Sequence, residues 1–272
     1  MINRYSIYPG KRRFLSAMSI TNQLILINIL LFFVSLLILS VYGGKFFLDN
    51  ISLTPSLILE GKSLWTLLTS MFSHTLFFHI FANMFSLFFI GNFLEKIIGR
   101  KRFFWIYLAS GLLGGIFFVI SGMIFSNNIP GIGASGAIFG LLGVLAVLVP
   151  YSKIYLIIGP LILILIQFVF GAFIPESFAQ FFSFIINLLI ILMIFSLFSF
   201  NSSMRKFAIP IELRMWLLPI IAIVPLVIIG FFVNLPIGNS AHIGGLFLGL
   251  VYGFYLRNKF PRKTRMIGRH FR

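Results

Sequence analysis

Residues 20–41 read ITNQLILINILLFFVSLLILSV, a stretch without one charged side chain. Wound as an α-helix at ~1.5 Å per residue it is about 33 Å long, enough to cross the ~30 Å hydrocarbon layer of a bilayer. Comparable runs follow at about 72–93, 103–125, 133–150, 154–173, 179–200, 215–233 and 240–257. The expectation is an all-α polytopic membrane protein, a helical bundle of about eight transmembrane helices in a single domain. Composition agrees with it. Hydrophobic residues make up 60% of the 272 and charged residues only 10%, with a mean hydropathy of +1.08; a soluble domain carries roughly a quarter charged residues. The first run is too long, and too far from any cleavage-like site, to be a signal peptide. The chain has no cysteine, which excludes disulfides, thiolate nucleophiles and cysteine metal sites.

The placement of basic residues orients these runs. Arg4, Lys11, Arg12 and Arg13 precede the first, in the segment 1–19. Lys96, Arg100, Lys101 and Arg102 follow the second, Lys153 the fourth, and Arg205, Lys206 and Arg214 the sixth. Seven more lie from Arg257 onward, mostly in the tail 258–272, so these alternate segments hold 19 of the 21 Lys and Arg, leaving Lys45 and Lys62 for the other side. The positive-inside rule puts both termini in the cytoplasm and calls for an even number of spans. The net charge of +16 is then topological, aided by membrane lipid, and gives no reason to expect nucleic acid. Residues 42–71 form the one sizeable outer loop, apolar enough to lie in the interface with Trp65 at headgroup level.

Polar side chains at membrane depth are costly and mark function. Four stand out: His79, Asn83, Ser135 and His242. Their runs all begin on the outer side, and each residue lies near that end, so separate segments deliver them to one depth. Ser135 follows Gly133 and opens a helix, where free N–H groups and the positive dipole end favour a developing oxyanion. Gly136 and Gly140 make one smooth face on that helix. His242 precedes Gly245 and Gly249 on its own glycine face, and small-xxx-small faces let membrane helices touch at backbone distance. If these faces meet, Ser135 and His242 meet above them as nucleophile and general base. His79 and Asn83, four residues apart, share a helix face and can both donate to an oxyanion. His74 falls on a different face of the same helix and is expected only to support the loop.

Inventory excludes rival chemistries. Intramembrane aspartyl proteolysis needs two aspartates, and Asp49 stands alone. No HExxH or other metal-binding set is present, and no acid is placed to complete a Ser-His-Asp triad. No internal repeat and no intramembrane acid supports a transporter.

With these motifs the chain resembles the rhomboid family of intramembrane serine proteases. The matching residues are Trp65, HTLFFHIFAN (74–83), the Glu95 turn, GASGAIFG (133–140) and AHIGGLFLG (241–249). The resemblance covers about 20–150 and 215–257. It implies Ser135 as nucleophile and His242 as base, with His79, Asn83 and the Ser135 N–H as the oxyanion hole. It further implies transmembrane protein substrates and no cofactor or metal, and leaves the oligomeric state open. Three departures matter. Thr66 stands where many members carry Arg, Phe139 stands where some carry Tyr under the histidine, and eight runs exceed the family's six-helix core. The surplus is most simply an inserted hairpin at 154–200. Pro219 and Pro225 are expected to bend the run after it. The function implied is cleavage of membrane proteins at or just inside the outer face of a prokaryotic cell membrane. The rival is a catalytically silent rhomboid-like binder, which retention of all four polar residues disfavours.

The orientation has a direct test in this cysteine-free chain. Cysteines introduced at Ser56 and Gly238 are expected to react with a membrane-impermeant reagent in intact cells, and ones at Ser203 and Thr264 to stay protected. Labelling at Ser203 from outside contradicts the inserted-hairpin topology.

Overall fold

A computed structural model describes residues 18–171, 173–196, 206, 209–232 and 238–270. The expected basic residues Arg4, Lys11, Arg12, Arg13, Arg205 and Arg272 lie outside them. The chain is an integral membrane protein of all-α polytopic type. It divides into two compact units, one of residues 1–150 and 216–271 and one of residues 151–215.

The first unit opens with α1, Ile20–Asn50. Its amino end is held from a distance: the Glu95 carboxylate accepts from Ile20 N at 2.9 Å, Thr21 N at 2.8 Å and Thr21 Oγ1 at 2.7 Å, satisfying donors that a helix start leaves free. Contrary to the expected loop at 42, α1 continues to Asn50 beyond a kink at Gly43, whose φ of 78° suits glycine. The segment between α1 and the next long helix is therefore shorter than 42–71. It contains α2, Pro55–Leu59, and α3, Thr66–Thr69. Trp65 is 55% exposed and donates to the Asn50 carbonyl, while Thr66 is buried with its hydroxyl on Ser63 O at 2.8 Å.

The second apolar run becomes α4, Phe77–Ser86, a π-turn at Leu87–Gly91, and α5, Asn92–Ile98. Then come α6, Arg100–Ile124, and α7, Ser135–Leu148. Almost all of α7 is buried, and α6 packs beside it with Phe103, Tyr107, Ser110 and Gly114 turned inward. After the second unit, α10, Leu218–Phe232, and α11, Asn239–Lys259, complete the bundle, and α12, Pro261–His270, follows. Of the two prolines expected to bend α10, only Pro225 is interior; Pro219 falls in the first turn, where a missing N–H costs nothing.

The second unit departs from the expected pair of plain helices. Lys153–Ile157 forms β1, followed by α8, Ile158–Gly171, and α9, Glu176–Ser196. Pro210–Arg214 forms β2 and pairs antiparallel with β1, Lys153 opposite Arg214 and Ile157 opposite Pro210. The sequence KIYLI reads equally as buried helix or strand, and the distant partner decides it. Lys153 and Glu212 add an ion pair of 2.9 Å.

Each of the eight apolar runs thus contains a helix. Among the described residues, Ile20–Asn50, Phe77–Ile98, Arg100–Ile124 and Glu176–Ser196 are long and apolar enough to cross a membrane. The helix α7, with 14 residues, reaches about 21 Å. Long enough itself, α11 is less apolar because glycines, tyrosines and His242 interrupt it.

Candidate active site

The site is built where α7 and α11 touch backbone to backbone. A methyl at Gly245 would collide with the Gly136 carbonyl, and one at Gly249 with the Gly140 carbonyl. A methyl at Gly143 would stand 2.7 Å from Leu246 O, and one at Gly114 of α6 2.8 Å from Ala241 O. Only side chains of a single hydrogen allow this approach. It brings His242, in the first turn of α11, against Ser135, the first residue of α7. His242 Nε2 and Ser135 Oγ are 2.7 Å apart.

The imidazole is held from one face. His242 is buried, and Phe139 lies under its ring at 4.4 Å between centroids and 21° between planes. Phe139 is one turn along α7 from Ser135, so the serine and the ring that supports its histidine come from one rigid helix. For Nε2 to accept the serine proton, Nδ1 must carry the ring hydrogen. Nδ1 is buried and meets no partner among the described residues, so no acid completes a triad.

The approach to Ser135 is a tied loop. Leu53 and Gly131 exchange backbone hydrogen bonds of 2.9 Å each, and Gly133 N donates to Ser70 O at 2.9 Å. Gly133 has φ of 117°, which side-chain-bearing residues avoid, and a methyl there would lie 2.6 Å from His79 Cε1 and 3.6 Å from Asn83 Nδ2. His79 and Asn83 therefore border the backbone that leads into Ser135.

Asn83 carries a detail absent from the sequence reading. Its Nδ2 donates to the His79 carbonyl at 3.1 Å and lies 3.1 Å from His74 Nε2. Both amide hydrogens are thus engaged in this structure. His74 is fully buried, and its ring meets His79 edge-on at 4.9 Å. The wheel that set His74 aside does not apply, because α4 begins only at Phe77. No periodic signal covers the bend at 73–76; only the unusual pairing of two histidines around a helix start pointed to it. Among the described residues no group of His, Asp or Glu could hold a metal ion.

The profile of the rhomboid domain matches residues 61–196, half of the chain. The chain belongs to the rhomboid family. That match contains His79, Asn83 and Ser135 and ends before His242. Similar curated proteins include the rhomboid protease GluP of Bacillus subtilis, 36% identical over 129 residues, which are 46% of this chain and 24% of that one. Rhomboid protein 1, mitochondrial, of Saccharomyces cerevisiae is 36% identical over 97 residues, 35% of this chain and 28% of its own. The inactive rhomboid-like protein 8 of Arabidopsis thaliana is 40% identical over 84 residues, 31% of this chain and 23% of its own. The chain spans about a quarter of the length of these relatives.

The glycine contact predicts a steep cost for a small change. Gly249→Ala is expected to lower stability by about 1–3 kcal/mol, because a backbone carbonyl cannot step aside as a side chain can. Gly268→Ala, whose methyl would meet only Leu148 O at 3.8 Å, is the neutral control. Unfolding in detergent reads both, and equal midpoints contradict the close approach.

Proposed function

We propose that this rhomboid is an active intramembrane serine endopeptidase that cuts transmembrane proteins at or just within the outer membrane face, its termini lying on the cytoplasmic side. The observation that carries the proposal is the 2.7 Å contact of Ser135 Oγ with His242 Nε2 at a helix amino terminus. In this reading Nε2 takes the hydroxyl proton as Oγ attacks the scissile carbonyl, and the imidazolium returns it to the leaving amine. Water, activated by the same nitrogen, then releases the acyl group from Ser135.

The negative oxygen of the tetrahedral intermediate needs donors aimed at it. The Ser135 N–H is the first, since a helix start has no internal acceptor for it. The His79 imidazole beside Gly133 is the second. Asn83 is the third, and it serves the oxyanion by releasing His74 or the His79 carbonyl as charge develops. Holding those hydrogens on neutral acceptors until then keeps the amide oriented without stabilising the ground state.

Helix length supports a submerged site. The far end of α7 lies near α12, where a methyl on Gly268 would meet Leu148 O at 3.8 Å. From that level the 14 residues of α7 carry Ser135 up by about 21 Å, some 9 Å short of the opposite edge of a ~30 Å layer. A substrate helix must therefore unwind locally there, since its hydrogen-bonded carbonyls are shielded from a nucleophile. Segments rich in small or helix-breaking residues are the expected substrates.

The second reading is a silent rhomboid that binds transmembrane clients, favoured by the likeness to a relative named inactive. A fluorophosphonate separates the two. In the proposed enzyme it labels Ser135 in detergent, His242→Ala abolishes the labelling, and Ser135→Ala abolishes cleavage of a reconstituted single-span substrate. Cleavage that survives Ser135→Ala in protein free of host proteases rules out the serine mechanism. An unlabelled wild type with no cleavage supports the silent binder.

His79→Ala and Asn83→Ala are each expected to lower kcat about 10²–10³-fold, as for loss of one oxyanion donor, with KM little changed. A change confined to KM, or a collapsed unfolding midpoint, assigns the residue to structure instead.

A further inference from the structure

The end of the first unit opposite Ser135 gathers cations that, among the described residues, have no carboxylate to meet them. Arg102, near the start of α6, holds its guanidinium carbon 4.9 Å from the centre of the Phe260 ring. Lys259 Nζ lies 6.0 Å from the same ring and bonds the Tyr255 hydroxyl at 2.6 Å. Phe260 is the joint between α11 and α12. Beyond it, Arg262, Lys263, Arg265 and Arg269 are all exposed on a helix of 10 residues.

Two like charges drawn to one ring repel each other unless an anion lies between or beside them. Among the described residues no carboxylate takes that place. Of the protein's five acidic residues, Asp49 and Glu60 belong to the outer end, where Glu60 pairs with Lys62. Glu95 is spent on the amino end of α1, and Glu212 on Lys153. Glu176 opens α9 in the second unit. Among the described residues, neither Arg102 nor Lys259 nor any cation of α12 has a carboxylate within ion-pair distance.

We propose that this basic face binds anionic phospholipid, its phosphate seated by Arg102 and Lys259 beside Phe260 while α12 lies along the headgroups. Location chooses a lipid over a soluble anion. These cations stand at the ends of helices that cross the membrane, which is headgroup level. Beside them Phe254 and Tyr255 are about half exposed and Met266 is 72% exposed, apolar surface that fits the acyl boundary. Arg102 offers a planar fork to phosphate oxygens, and Lys259 adds a point charge already held in place by Tyr255.

The test uses the full chain in a neutral detergent, stripped of lipid and titrated with phosphatidylglycerol or phosphatidylcholine. Native mass spectrometry counts the bound molecules. Phosphatidylglycerol is expected to bind at least tenfold tighter. The double variant Arg102→Gln, Lys259→Gln is expected to weaken it about 25-fold, from about fivefold per cation near a charged surface, and to leave phosphatidylcholine unchanged. Lys45→Gln, Lys62→Gln at the other end is expected to keep the preference. Should the first pair fail to fold, Arg265→Gln, Arg269→Gln reads the same loss from α12. Equal affinity for the two lipids, an unchanged preference in the α6–α11 variant, or displacement by excess inorganic phosphate overturns the proposal.

Discussion

The backbone contact between α7 and α11 governs the rest of the first unit. Lipid offers apolar side chains no hydrophobic reward for leaving it, so membrane helices associate through close packing. Here Gly136, Gly140 and Gly143 face Gly245, Gly249 and the backbone of Leu246, and no Cβ intervenes. Glycine inside a helix costs roughly 0.5–1 kcal/mol relative to alanine, and this many glycines persist because the contact returns more than that. Gly114 brings α6 into the same junction through the Ala241 carbonyl. Three helices are thereby fixed at one level, and Ser135, Phe139 and His242 inherit their positions from them.

Around that level a few polar side chains hold one another in place. Ser135 meets His242, Phe139 carries the imidazole, and Asn83 is shared between His74 and the His79 carbonyl. In a low-dielectric setting such bonds are strong and orient their members firmly. A buried histidine with no acid behind it depends on packing for its orientation, and the stacked Phe139 supplies that. Phenylalanine at 139 supplies a stacking face without a hydroxyl.

Much of this was legible in the residues, and the reasons it stopped are physical. Charge-free runs marked every main helix because lipid forbids charge along a span. The four-residue spacing of Gly245 and Gly249 pointed to a close helix contact because no other residue serves it. The strands at 153–157 and 210–214 escaped notice because five residues are too few to show a period that separates strand from helix, and each strand's partner lies far along the chain. The kink at Gly43 read as a loop start because glycine marks both. The contact of His74 with Asn83 was missed by treating residues ahead of Phe77 as already helical. Local pattern sufficed where one element decides, and failed where two distant segments decide together.

The central claim is that the α7–α11 contact brings His242 to Ser135, and that α4 aims His79 and Asn83 at the oxygen of the carbonyl that Ser135 attacks. An experimental structure of the phosphonylated protein tests it most directly. The account predicts phosphorus bonded to Ser135 Oγ, with the phosphonyl oxygen about 2.7–3.1 Å from the Ser135 nitrogen and from His79 and Asn83. It also predicts that Asn83 has let go of one of its two present acceptors. A phosphonyl oxygen turned away from both side chains, with Asn83 still bonded to His74 and the His79 carbonyl, would contradict it.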